Sequence, residues 1–166
     1  MIRHLALIVS CAALAVLPAA AAELVPWKGG ATPALDLKDV TGRQHRLEDY
    51  RGQVVLINFW ATWCEPCRAE MPSMQRLKEK TLHDPIVVLT VNVGEFPERI
   101  NEFFQKYRIE LTALRDHNSA AMKAWNVGVL PTSFIVGPDG RIRYRVVGEA
   151  DWADNAMTGT LKSLMK

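Results

Sequence analysis

The stretch that decides the fold is Val54-Val55-Leu56-Ile57-Asn58-Phe59-Trp60-Ala61-Thr62-Trp63-Cys64-Glu65-Pro66-Cys67-Arg68-Ala69-Glu70. Its first part, Val54 to Trp60, is apolar on both faces of an extended chain, as a strand buried in a parallel sheet requires. Its second part opens a helical pattern that continues through Met71, Met74 and Leu77, so a strand feeds directly into a helix. Cys64 falls at the helix start and Cys67 one turn further in. A helix N-terminus carries unpaired N–H groups and the positive end of the macrodipole, and both favour a thiolate on Cys64. Cys67 shares a helix face with it and is close enough to close a small disulfide ring. This is a setting in which a dithiol exchanges electrons with another disulfide.

Other uses of such a pair fit less well. A structural zinc site needs further ligands, and His45, His83 and His117 supply neither a His-x(3–5)-His pattern nor a second cysteine pair. Haem attachment needs His after the second cysteine, and position 68 is Arg. A peroxidatic cysteine would have Pro and Thr or Ser upstream, where Ile57 and Ala61 stand. The rival from another class is a copper-handling protein that binds metal through both thiolates. Such a carrier surrounds its pair with Met or His. Residues 61–69 contain neither, and Met71 and Met74 fall at core spacing. No metal and no cofactor is expected beyond the redox-active disulfide Cys64–Cys67.

At 166 residues, 49% hydrophobic and 23% charged, the chain has the size and composition of one domain with its own core. The net charge of +2 has no basic block behind it, so nucleic acid is not a partner. Residues 1–22 read as an export signal: Arg3 and His4, an apolar run, then Pro18 and small residues at Ala20 and Ala22 suited to cleavage before Glu23. An uncleaved anchor is the competing reading, because residues 5–22 just reach the length that crosses a bilayer; their alanine content weakens it. Cys11 lies inside the apolar run and reads as signal filler. An exported chain whose remaining cysteines form one Cys-x-x-Cys pair does not use them as a fold staple.

Residues 23–33 read as a loose lead-in and residues 34–166 as the domain. Alternation over 34–37 and 44–47, around Thr41-Gly42, predicts a β-hairpin, followed by one helical turn over 47–52. A second buried strand covers 86–91. Ile100, Phe103, Phe104 and Tyr107 predict a helix over 96–107, and the alternation of strand and helix implies a βαβ unit. Asn118 or Ser119 caps a short helix through Trp125. Residues 132–136 and 141–147 form a closing hairpin over Pro138-Asp139-Gly140. The last helix is expected from Trp152 to Met165. Trp125 and Trp152 are assigned to packing.

Trp63-Cys64-Glu65-Pro66-Cys67 behind a buried strand resembles the thioredoxin superfamily. The longer run from Asn58 to Cys67, with Glu70 and Pro72 behind it, resembles its membrane-associated bacterial branch, the TlpA/ResA/CcmG type. The resemblance runs from about residue 34 to the end of the chain. It implies an α/β thioredoxin-like fold: a central mixed β-sheet flanked by helices, with an N-terminal β-hairpin and a central strand-helix insertion over 95–115. In Gly128-Val129-Leu130-Pro131-Thr132 it implies a cis-proline loop beside the disulfide. There the Leu130 backbone is held open for a substrate segment to pair as an added strand. An ordinary trans Pro131 at a strand start is the alternative.

Where thioredoxin itself has a buried Asp in the strand before the motif, this chain has Asn58, as the ResA-like group does. Glu70 stands where that group has an active-site Glu, one turn after Cys67, and can shuttle the proton of that thiol. By pattern alone Glu70 is a solvated surface acid. Cys64 is the attacking thiolate and Cys67 the resolving thiol. Glu65 beside Cys64 opposes its ionisation, or is simply a favourable first-turn acid. Pro66 stiffens the turn and lacks an N–H that would have no partner. Trp60 and Trp63 pack around the site, or are core and rim aromatics.

These readings lead to a periplasmic thiol-disulfide oxidoreductase running as a reductase of specific disulfides. Family analogy points to apocytochrome c or to copper-site proteins in oxidase assembly. A membrane electron donor of the DsbD/CcdA type is implied, because the periplasm is kept oxidising. A monomer is expected.

Overall fold

A computed structural model describes residues 23–166, and the export-signal reading of residues 1–22 lies outside the described residues. In chain order the elements are β1 (Val25–Pro26), β2 (Asp36–Lys38), β3 (Gln44–Arg46), a 3-10 turn (Leu47–Tyr50), β4 (Val54–Trp60), α1 (Glu65–Lys80), β5 (Ile86–Val93) and α2 (Pro97–Tyr107). They continue with β6 (Thr112–Asp116), α3 (Ala120–Ala124), β7 (Thr132–Val136), β8 (Ile142–Val147) and α4 (Asn155–Ser163). Six strands form one sheet in the order β1-β8-β7-β4-β5-β6, and β2–β3 is a separate hairpin. β4, β5 and β6 run parallel, while β7 is antiparallel to both β4 and β8. The sheet is therefore mixed, as expected.

Every residue of β4 is buried because both faces of the sheet are covered. Val54, Leu56 and Trp60 point into one cluster with Met71, Met74 and Leu77 of α1, Phe103 and Phe104 of α2, and Leu161 of α4. Val55, Ile57 and Phe59 point into the other, with Leu35, Trp125 and Phe134. This period of two places Asn58 on the α1 side, a polar residue in an apolar row. Trp60 lies 5.6 Å from Phe104 in a stack and 5.1 Å from Phe103. Aromatic pairs of this kind contribute about 0.5–1.5 kcal/mol each beyond their buried area. They fix the end of β4 from which the cysteines hang.

Two expectations are corrected, and the capping of the short helix is refined. The lead-in is not loose: β1 pairs with β8, the Trp27 N–H donates to the Arg143 carbonyl at 2.8 Å, and the Trp27 ring packs edge-on against Phe134. Two paired residues are too few to show alternation in a sequence, and Pro26 is tolerated because β1 is an edge. The last helix starts at Asn155 rather than Trp152, since Asp154 is its N-cap and its carboxylate accepts from the Ala156 N–H at 2.8 Å. The short helix α3 is held chiefly by Asp116, which accepts from the Ala121 and Met122 N–H groups at 3.1 and 2.7 Å. Ser119 makes no side-chain cap, while Asn118 accepts from the Ala120 N–H at 3.1 Å.

The expected insertion is α2 with β6, which adds a parallel strand at the sheet's far edge. The tip of the β2–β3 hairpin docks on that edge, the Val40 N–H donating to the Ala113 carbonyl at 3.1 Å. In the β7–β8 turn Gly140 has φ +71°, and a Cβ there would lie 2.5 Å from the Arg51 guanidinium carbon. The positive φ favours glycine there, and any side chain would also push the Arg51 guanidinium aside.

Candidate active site

Cys64 stands at the head of α1 with an extended backbone (φ −83°, ψ 108°), so it is the N-cap and lies outside the helix. Its Sγ accepts from the Cys67 N–H at 3.3 Å, the bond an N-cap makes to the third helical residue. Pro66 sits in the first turn, where a missing N–H costs no intrahelical bond. Cys64 and Cys67 are joined in a disulfide with Cα atoms 5.3 Å apart. Cys67 is 0% exposed and Cys64 6%, so Cys64 presents the sulfur that an incoming group meets. On reduction the same amide and the helix N-terminus favour a thiolate at Cys64. Glu65 is exposed, where water screens its charge.

Glu70 is not a surface acid. It is 1% exposed, beneath the sheet end of α1. Asn58 Nδ2 donates to Oε1 at 2.7 Å, while Trp152 Nε1 and the Ala150 N–H donate to Oε2 at 3.2 and 3.3 Å. Burial pushes its carboxyl up to about 8; the bonds from Asn58, Trp152 and Ala150 pull the other way, and the charge of Glu149 adds to the rise. Glu70 is thus a proton holder near neutrality, one helical turn from Cys67 on the same helix face. Asn58 also donates to Ser133 Oγ at 2.9 Å, which fixes its amide from the neighbouring strand β7.

Trp152 is more than packing. Besides its indole bond to Glu70, its backbone N–H donates to Ser73 Oγ at 3.0 Å, and Ser73 Oγ donates to the Glu70 carbonyl at 2.7 Å. The turn before α4 is thereby fastened to the carboxylate from which Cys67 is one turn away. Nothing in the pattern around Trp152 signals this, because the partner lies far off in sequence.

The Leu130–Pro131 peptide is cis, so the trans alternative falls. Leu130 packs against the apolar cluster that contains Cys64 and Cys67. The Gly148 N–H donates to the Pro131 carbonyl at 2.9 Å, and Thr132 Oγ1 donates to the Val129 carbonyl at 2.7 Å. Among the described residues the Leu130 N–H and C=O have no hydrogen-bond partner. Trp60 is fully buried and belongs to the core, whereas Trp63, next to Cys64, is 68% exposed.

The AhpC/TSA family model matches residues 29–145, most of the domain. The chain belongs to the AhpC/TSA family. Within that thioredoxin-like family it is 37% identical over 120 residues to the thiol-disulfide oxidoreductase ResA of Geobacillus thermodenitrificans, covering 72% of this chain and 69% of that one. The ResA of Bacillus subtilis strain 168 is 32% identical over 121 residues, 73% of this chain and 68% of that one. Among solved structures, a Chlorobium tepidum protein described as a thiol:disulfide interchange protein DsbE superposes with a TM-score of 0.76 at 27% identity, covering 85% of this chain and 99% of that one. StoA of Bacillus subtilis, at 23% identity and a TM-score of 0.66 over 82% of this chain and 100% of that one, shares the fold. This member of the family is a thiol-disulfide oxidoreductase with a thioredoxin-like fold.

One further group holds this site together and has no part in the Cys-x-x-Cys pattern. Glu95, between β5 and α2, accepts from the Thr62 N–H at 2.7 Å, from the Thr62 hydroxyl, and from Asn92 Nδ2 at 2.7 Å. It pins the loop that leads into Trp63 and Cys64. The signal was Asn92 itself, a fully buried amide at the end of an apolar strand that had to find a partner.

Proposed function

We propose that this oxidoreductase works in the periplasm as a reductase of specific protein disulfides, with Glu70 as the proton acceptor for Cys67. The Cys64 thiolate attacks one sulfur of the substrate disulfide, and the other sulfur leaves as a thiolate that takes up a proton. The enzyme and substrate are then joined by one mixed disulfide. Cys67 gives its proton to Glu70 and attacks Cys64 Sγ, which releases the second substrate thiol and leaves the Cys64–Cys67 disulfide. Two electrons have moved from enzyme to substrate. A membrane donor of the DsbD/CcdA type returns them. No cofactor is needed beyond the cysteine pair.

The observation that carries this reading is Glu70: buried, held near neutrality and one turn from the resolving cysteine. Asn58 supports the cycle because its Nδ2, which also donates to Ser133, donates to Glu70 Oε1 and favours the charged form that accepts a proton. Trp63, the free Leu130 backbone and Pro131 receive the substrate as an added strand, while Glu65 and Pro66 tune the Cys64 thiolate. Apocytochrome c cysteines, or copper-site cysteines in oxidase assembly, fit as targets by family analogy. The copper-handling alternative gains nothing from Met71 and Met74, both fully buried in the core. The reduction potential of the Cys64–Cys67 couple tests the direction. A value at or below about −270 mV is expected, and one near about −120 mV would make the protein an oxidant.

A further inference from the structure

We propose that a cationic cleft between α1 and α2, beside the disulfide, binds an acidic side chain of the substrate polypeptide, so that disulfides flanked by Asp or Glu are preferred. This inference rests on the reductase reading above and names its substrate class. The cleft has a volume of about 280 Å³ and is lined by Thr62, Arg68, Arg99, Glu102, Phe103, Lys106 and Tyr107. It opens on the Cys64 side of the helix: Arg68 is one turn from Cys64, its N–H donating to the Cys64 carbonyl at 3.1 Å. Thr62 stands two residues before the cysteine.

Three cations face one carboxylate, Glu102. Among the described residues none of Arg68, Arg99 and Lys106 forms an ion pair. Each is instead held by a neutral group. Arg68 Nη2 donates to the Tyr107 hydroxyl at 3.3 Å, Arg99 Nε donates to Thr62 Oγ1 at 3.3 Å, and Lys106 Nζ lies 5.5 Å from the Tyr107 ring centre. Of the other acids nearby, Glu95 is occupied by Thr62 and Asn92, while Glu65 beside Cys64 and Glu98 beside Arg99 are exposed and, among the described residues, form no ion pair with these cations. The cations are thus ordered but not neutralised. The molecule that reacts at Cys64 is a polypeptide, and the groups it carries that complement such a cleft are carboxylates.

The test uses the reduced protein and two oxidised peptides that share one disulfide ring, one with Asp residues beside the first cysteine and one with Lys. At about 50 mM salt the Asp peptide is expected to be reduced about tenfold faster, with the ratio shrinking at about 500 mM as the charges are screened. Arg99→Gln with Lys106→Gln should bring the ratio towards one, and Lys106→Glu alone should lower it. Equal rates for the two peptides, a faster Lys peptide, or a preference that survives the double substitution would overturn the cleft while leaving the reductase intact. If neither peptide is reduced, the reductase reading fails and this proposal goes with it.

Discussion

Asp39 and Glu70 are both buried carboxylates held by hydrogen bonds, yet their protons behave in opposite ways. Asp39 accepts from the Thr41 N–H at 2.8 Å, the Thr41 hydroxyl at 2.6 Å, the Arg43 N–H at 3.0 Å and His45 Nε2 at 2.9 Å. Burial raises its carboxyl, but the bonds from Thr41, His45 and Arg43 outweigh that and hold it down at about 2. Glu70 has fewer donors, two of them beyond 3.1 Å, and stands at about 8. Depth and donor count together decide the sign. Asp39, at a hairpin turn, keeps 8% of its surface in water, whereas Glu70 lies between helix and sheet with 1%. One acid fastens a hairpin; the other can move a proton.

The largest expected effect comes from Asn58→Asp, which places a second carboxylate 2.7 Å from Glu70 in the dry site. The pair shares one proton at low pH and cannot both ionise cheaply at high pH. Denaturant unfolding should show near wild-type stability at about pH 5 and a loss of about 3 kcal/mol or more at about pH 9. A variant equally stable at both would mean that the Glu70 site is wetter than its burial indicates.

Glu70→Gln comes next. Disulfide exchange should slow about a hundredfold, at the lower end of general acid–base effects, because water can take the proton instead. Stability separates this from misfolding. Glu70 has a folded pKa raised from 4.5 to about 8, so its folded state binds more protons than the unfolded chain between those values. Its contribution is full below about pH 4.5, falls as pH rises towards 8, and is level above. The Gln variant should lack that fall and be the more stable protein at alkaline pH. Wild-type rates and thiol titrations in Glu70→Gln would return Cys67 deprotonation to water.

The contrast between the two acids also marks how far the sequence could be read. β4, β5 and the place of α1 were legible because each follows from short-range periodicity, while β6 and the cis-proline loop were expected only through the resemblance. The role of Glu70 came from the resemblance. Its burial could not come from its own helix, since the groups that hold it arrive from β4, from the turn after β8 and from the indole of Trp152. β1 was missed for a similar reason: its two residues are a strand only because Arg145 and Tyr144 pair with them. Long-range partners leave no mark in a local pattern.

Trp152→Phe sharpens the comparison by removing one donor and keeping the ring in place. Loss of the 3.2 Å indole bond takes away a group that favours the charged form of Glu70, so its pKa should rise further. The alkaline fall in stability should extend to higher pH, and exchange should slow by a few fold at neutral pH, recovering as pH rises. A cost of about 1–2 kcal/mol is expected for the lost bond. Unchanged pH profiles would leave Trp152 as packing alone.

Asp39→Asn probes the other carboxylate and should have the smallest effect. Asp39 is a depressed acid: the hairpin turn binds its charged form, so its contribution is present above about pH 4 and is lost as pH falls from 3.8 towards about 2. Asparagine keeps the oxygen that accepts from Thr41 and Arg43 but loses the charge and puts a donor towards His45, which then has to take the tautomer that accepts there. A loss of about 1 kcal/mol near neutral pH is expected, with a shallower acid limb in the unfolding profile. The hairpin tip touches β6, on the far edge of the sheet from β7 and β8. Exchange rates should therefore stay at the wild-type value. A drop in exchange would show that the two acids are coupled through β5 and β4, and that the division between fastening acid and proton-moving acid is too sharp.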